Sequence, residues 1–221
     1  MKSEKLVVFD QQPSIVTQYL NELRNIDVQK DSMRFRENLK RIGEIMAYEM
    51  SKTFAFKPVD IQTPLAVAKS EEVQDQVVLT TILRAGLPLY DGFVRILDNA
   101  ESAFVASYRA PAVHGEEVSI NMEYVASGDL TDKVVILADP MLATGKSLLL
   151  AYKGLRKNGR PKHVHIAAVI ASQQGVDYIM ENMDDVPFTL WIGAIDPELN
   201  DKAYIIPGLG DAGDLCFGPK L

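Results

Sequence analysis

The sequence predicts an α/β protein built on a mainly parallel sheet flanked by helices, and three observations predict it. Beyond Pro58, apolar runs of strand length alternate with segments of helical periodicity, the pattern of a sheet whose strands are joined through helices. The runs are continuous in Val, Ile and Leu rather than alternating, which suits strands buried on both faces. Ahead of Pro58 the texture is helical. With 221 residues, 47% of them hydrophobic, the chain is long enough for one globular domain with a sizeable core.

Taken in order, a short helix is expected from near Pro13 to near Leu23. A long amphipathic helix follows over residues 31–54. Asp31 is its expected N-cap, and Phe35, Leu39, Ile42, Met46 and Met50 recur at three- and four-residue spacing on its inner face. These helices make up residues 1–57. Residues 58–196 form the α/β core, with strands over 77–83, 103–108, 134–139, 165–171 and 188–195. Helical segments lie between them at 89–99, 145–159 and 174–183. Residues 61–67 and 119–125 are read as a small antiparallel arm. Residues 197–221 form a separate C-terminal unit. In such a sheet a ligand binds at the carboxyl ends of the strands, which directs attention to the junctions after Leu83, Asp139 and Tyr204.

Composition narrows the function classes. A net charge of -7 argues against a nucleic-acid partner, which calls for a basic footprint. It leaves room for a phosphorylated small molecule held by backbone amides and a few placed arginines. Cys216 is the single cysteine, so no internal disulfide is possible, and the N-terminal decapeptide carries no signal-peptide pattern. The expectation is a cytoplasmic protein. The longest apolar runs fall far short of a membrane span.

The strongest local feature is VVILADPMLATGKSLLLAY. A buried strand ends at Asp139, a loop of small residues follows, and a helix begins near Gly145. Ala143, Thr144, Gly145 and Ser147 are small enough for backbone N–H groups to close around a phosphate, and the helix N-terminus favours its charge. Asp139 can accept hydrogen bonds from sugar hydroxyls or reach magnesium through water. The Gly145-Lys146-Ser147 triplet invites comparison with an NTPase phosphate loop. That motif requires glycine where this chain has Pro140, which offers no N–H and fixes its own φ, so the triphosphatase reading fails. A ligand-free strand–loop–helix connection is the plainer alternative.

Arg84, in ILRAGLP, follows a strand and precedes a tight turn, where a guanidinium can grip pyrophosphate oxygens or simply form a structural ion pair. The segment AYIIPGLGDAGDLCFG fits no ordinary helix or strand. Its glycines hold an irregular backbone that can face a ligand, or a tightly packed terminal loop. Asp211 and Asp214 there can serve a ligand, a metal or the turn. His163 and His165 share a strand face without a third ligand and read as packed or surface histidines. Cys216 reads as a packed side chain. Asp184-Asp185 reads as a solvated turn, and the basic cluster at 153–162 as a dipole-complementing helix end.

Together ILRAGLP at 82–88, ADPMLATGKS at 138–147 and YIIPGLGDAGD at 204–214 resemble the uracil branch of the type I phosphoribosyltransferase family. RFRENLKRIGEIMAYE at 34–49 and TPL at 63–65 extend the likeness over most of the chain from about Leu23 onward. The resemblance implies the type I phosphoribosyltransferase fold, with 197–221 as a base-binding hood. It implies transfer of ribose 5-phosphate from 5-phosphoribosyl 1-pyrophosphate (PRPP) to uracil, giving UMP and pyrophosphate.

The same resemblance assigns roles. Asp139, Pro140, Met141, Leu142, Ala143, Thr144, Gly145, Lys146 and Ser147 would bind the ribose and 5-phosphate. Arg84 and Arg109 would approach the pyrophosphate. Ile205, Gly210 and Ala212 would offer main-chain groups to uracil, with Tyr204 packed nearby. Asp211 would contact the donor side through magnesium and water, so Asp139, Arg84 and Asp211 carry the catalytic expectation. Mg2+ would arrive with PRPP rather than on protein ligands. A homodimer or higher homo-oligomer is implied, the arm offering one route to it.

The chain departs from the family pattern at three points. Lys146 stands where many members have a second glycine, and Ala110-Pro111-Ala112-Val113 replaces the usual acidic stretch after Arg109. Ala138 precedes Asp139 where other type I members pair two acids, a change shared by the uracil branch. Two readings compete with a uracil enzyme. One is a non-catalytic regulator of the same fold that senses UMP or PRPP or binds RNA, which the intact motifs and acidic charge oppose. The other is transfer to a different base such as a purine, which the segment at 204–214 opposes.

Overall fold

A computed structural model describes residues 5–109 and 120–219. Strand β1 spans Leu6–Val8 and is followed by a 3-10 turn at Phe9–Gln11. Three residues are too few to show periodicity, and the sequence reading missed this strand. Helix α1 covers Ile15–Arg24, with Ser14 and Thr17 forming a reciprocal capping box. Helix α2 runs Ser32–Ser51, and the Asp31 carboxylate accepts from the Met33 and Arg34 amides at 3.0 and 3.1 Å, as expected of its cap. Phe35, Leu39, Ile42, Met46 and Met50 are all buried along one face.

Strands β2 (Phe56–Gln62) and β3 (Val67–Val73) pair antiparallel as an exposed hairpin. This corrects the expected pairing of 61–67 with 119–125. Residues 61–67 are the tip of the hairpin, where the Thr63 hydroxyl accepts from the Leu65 and Ala66 amides. A local turn closes at far less entropic cost than a distant pairing. The other half of the expected arm lies instead in the main sheet.

That sheet contains β4 (Val77–Leu83), β5 (Glu101–Arg109), β6 (Ile120–Ala126), β7 (Val134–Ala138), the two-residue β8 (Met141–Leu142), β9 (His163–Ser172) and β10 (Phe188–Asp196). Its order is β1-β10-β9-β7-β4-β5-β6, with β8 beside β9. All pairings are parallel except β5 with β6. Helices α3 (Leu87–Ile96), α4 (Lys146–Leu155) and α5 (Gln173–Asn182) join the strands. Within β7, Val134, Ile136 and Ala138 face one core with α2 and α3, while Val135 and Leu137 face another with α4 and α5. This two-sided burial is why the strands read as continuous apolar runs.

After β10 come a small hairpin of β11 (Glu198–Leu199) and β12 (Ile205–Ile206), then helix α6 (Ala212–Phe217). The sequence suggested no helix here. Six residues, two of them glycine or its neighbour alanine, carry too little periodicity, and the helix is set by Asp211, whose carboxylate accepts from the Asp214 amide. Asp185 is also more than a solvated turn. It accepts from the Tyr152 hydroxyl at 2.6 Å and from Arg156 Nε at 2.8 Å, fastening the α4 end. His165 is buried and takes the Trp191 indole N–H on Nδ1 at 3.0 Å. His163 meets the Thr189 hydroxyl at 3.1 Å. Among the described residues no group of three or more His, Cys, Asp or Glu is placed to hold a metal.

Candidate functional site

The strand order places β5 on one side of β4 and β7 on the other, so the chain reverses its winding direction between β4 and β7. A crevice opens at the carboxyl ends of strands at such a point. Arg84 directly follows β4 and Asp139 directly follows β7. A cavity of about 340 Å³ lies there, closed on the far side by the C-terminal segment.

The loop after β7 builds one wall. The Asp139 amide donates to the Ala167 carbonyl at 3.0 Å, and the Met141 amide donates to Asp139 Oδ1 at 3.2 Å. The Pro140 carbonyl accepts from Val169 and Ile170, so β9 anchors the loop from beneath. Gly145 adopts φ +76° as the N-cap of α4 and offers no capping side chain, while the Lys146 amide donates to Thr144 Oγ1 at 3.4 Å. The N-terminus of α4 thus lies at the cavity, where its partial positive charge favours an anion. Met141, Leu142, Ala143, Thr144, Gly145 and Ser147 line the cavity with Asp139. Pro140 and Lys146 do not; Pro140 is buried under the loop.

Arg84 reaches toward the opposite wall. Its Nη2 bonds Asp214 Oδ1 at 3.2 Å and the Gly218 carbonyl at 3.3 Å, while Nε is buried without a hydrogen-bond partner. The guanidinium thus ties the end of β4 to α6 and keeps one donor unsatisfied. The Arg109 backbone closes β5 at the same end of the sheet. Its side chain and residues 110–113 lie outside the described residues.

The hood supplies Tyr204, Gly210, Asp211 and Ala212 to the cavity. Asn200 sets its turn, its side chain accepting from the Lys202 and Tyr204 amides at 3.0 and 2.9 Å. Ile205 is not on the cavity wall. It is buried and pairs with Leu199 across the hairpin. On the buried face of α6, burial pushes the Cys216 thiol up to about 12, so it is an unreactive packing group.

The cavity takes Gly213, one of the C-terminal glycines expected to face a ligand, and also residues that sequence reasoning did not single out: Ile82, Leu83, Ala85, Leu148 and Ala203. Ile82, Leu83 and Ala85 flank Arg84, and the others flank predicted residues, so neighbourhood was their only signal. Asn200 carried a turn signal of the ordinary kind.

A doubly wound sheet with a small-residue loop at a helix N-terminus and an arginine at its switch point defines a sugar-phosphate- or nucleotide-binding α/β protein. The comparisons with known proteins narrow this class. The family model described as uracil phosphoribosyltransferase matches residues 11–219. A uracil phosphoribosyltransferase from Porphyromonas gingivalis is 51% identical over 210 residues, covering 94% of this chain and 95% of its own. One from Thermococcus gammatolerans is 38% identical over 216 residues, covering 96% and 93%. A solved protein structure from Aquifex aeolicus superposes with TM-score 0.84 at 28% identity, covering 96% of this chain and 98% of its own. The chain belongs to the uracil phosphoribosyltransferase family and has the type I phosphoribosyltransferase fold.

Proposed function

We propose that this chain transfers ribose 5-phosphate from PRPP to uracil, releasing UMP and pyrophosphate. The observation that carries the reading is the single cavity shared by Arg84, the loop from Asp139 to Ser147 and the hood residues Tyr204 and Gly210 to Ala212. Family membership supports it at the level of the whole chain.

In this reading the amides from Ala143 to Ser147 hold the 5-phosphate at the start of α4, and Asp139 orients the ribose hydroxyls. Arg84 and Arg109 face the pyrophosphate. Residues 197–221 act as a hood whose main chain at Gly210 and Ala212 reads the alternating donors and acceptors of uracil, with Tyr204 beside the ring. Pyrophosphate departs as the uracil nitrogen bonds to the anomeric carbon, and positive character develops on the ribose. The residues then act by alignment, by stabilising the leaving group and by excluding water.

The donor set fits a magnesium ion that arrives with PRPP. Asp139 and Asp211 put two carboxylates on the cavity wall, which suits a hard cation completing its shell with phosphate oxygens and water. Bound, it would neutralise charge on the leaving pyrophosphate. The same reading includes a homodimer or larger homo-oligomer, supported by exposed Phe56, Ile61, Leu65, Val67 and Val73 on the hairpin arm. It includes a cytoplasmic location; no helix among the described residues is long and apolar enough to cross a membrane.

Labelled uracil, PRPP and magnesium should yield UMP, with cytosine and hypoxanthine as comparison bases. Absence of UMP from folded protein would overturn the reading, and ligand binding without turnover would favour the regulatory alternative.

A further inference from the structure

The base-facing hood is held from behind by the N-terminal helix. Arg24, the last residue of α1, makes a bidentate bond to Asp196 at the end of β10, Nη2 to Oδ1 and Nη1 to Oδ2, both at 2.8 Å. Asp196 Oδ2 also accepts from the Gly208 amide at 2.9 Å, and Arg24 Nη1 donates to the Gly208 carbonyl at 3.0 Å. Both main-chain polar groups of Gly208 are thereby fixed by one ion pair. Gly208 sits at φ +58°, and a methyl there would overlap the Ile205 carbonyl, so the turn has no slack. Two residues later the chain enters the cavity wall at Gly210.

We propose that Arg24 and Asp196 are a positioning pair that sets where Gly210 to Ala212 stand against the base. This deepens the uracil-transfer reading of the cavity and rests on it. Neither residue lines the cavity, so the pair acts through the loop. The Asp196 side chain is only 6% exposed, and a buried ion pair is a poor way to add stability, since apolar packing does as well or better. A bidentate fork supplies orientation instead. The helix end carrying Arg24 is itself locked, because Gln29 Nε2 donates to the Leu23 and Arg24 carbonyls at 3.0 and 3.2 Å. The donor loop lies between β7 and α4 and takes no part in the four bonds that join Arg24, Asp196 and Gly208.

The test compares Arg24→Lys and Asp196→Asn with the parent chain, varying uracil and PRPP separately. Lysine keeps the charge but cannot form the fork. The expected result is a uracil KM raised on the order of tenfold or more, as for a displaced substrate-positioning segment. The PRPP KM should stay within about twofold of the parent, marking loss of base binding alone. The preference for uracil over cytosine should fall in parallel. An unchanged uracil KM, or equal rises for both substrates, would overturn the proposal. Circular dichroism checks the fold. Should Asp196→Asn not fold, Arg24→Lys decides alone, and an unfolded Arg24→Lys would make the pair purely structural. A parent chain that makes no UMP sinks the transfer reading; a competent parent with unmoved variants sinks only the pair.

Discussion

The Ser172 hydroxyl donates to the Ala143 carbonyl at 2.6 Å while accepting from the Gly175 amide at 2.9 Å. One side chain therefore caps α5 and ties the proposed phosphate loop to the end of β9. Ser172→Ala removes both bonds. A stability loss of about 1–2 kcal/mol is expected from the lost cap and the orphaned carbonyl, measured by thermal or urea unfolding. The loop loses its tether as well, so the PRPP KM should rise while the uracil KM holds.

Gly175 packs its α-carbon against the same loop. A methyl there would overlap the Ala143 and Leu142 carbonyls. Alanine is better than glycine in a helix by about 1 kcal/mol, so propensity alone predicts a stabilised Gly175→Ala. Overpacking against backbone costs about 1–3 kcal/mol and should reverse that sign. The measurement is the midpoint of thermal unfolding together with the PRPP KM, and a more stable variant of unchanged KM would refute the close approach.

Asp139→Asn keeps an acceptor for the Met141 amide, which the carboxylate now serves through Oδ1. The loop should remain folded, with little change in unfolding temperature. Loss of the charge at the proposed ribose site is expected to lower kcat/KM on the order of a hundredfold, a size typical of a single lost electrostatic contact at a reacting centre. Unchanged kinetics in a UMP assay would remove Asp139 from the site.

His165 supplies a pH prediction. Burial pushes it from the ordinary 6.5 down to about 3. Between those values the unfolded chain binds the extra proton and the folded chain does not, so stability is full above pH 6.5 and falls as pH drops toward 3. The slope approaches about 1.4 kcal/mol per pH unit for one proton. His165→Gln, which retains an acceptor for the Trp191 indole N–H, should flatten that part of the profile. Denaturant midpoints from pH 7 to 5 for both chains check this.

Particular elements show how far the sequence could be read. The strand at Val77–Leu83 matches its expected bounds, and α2 begins after its expected cap at Asp31. The strand is a continuous apolar run and the helix is long, periodic and locally capped, so short-range information suffices. The hairpin arm was misassigned because Ile120–Ala126 has strand character but no local sign of its partner. Helix α6 is too short to show periodicity, and the Asp211 side chain that caps it also lies on the cavity wall, so a turn or ligand role and a cap role share one residue. Ile205 lies inside the motif that implies base contact, yet its burial within the β11–β12 hairpin cannot be read from that motif.

By itself the sequence determined the two N-terminal helices, the central strands with the helices between them, and the motifs at 138–147 and 204–214 that carry the family resemblance, since each resides in contiguous residues whose spacing is set by local backbone chemistry. Only the tertiary structure decided that Arg84 bonds Asp214 and Gly218, that Ser172 holds Ala143, and that Arg24 reaches Asp196 and Gly208. Those pairs are distant in sequence. They meet because the reversal of winding between β4 and β7 gathers strand ends at one crevice, and because burying both sheet faces brings α1 and the hood together at its rim.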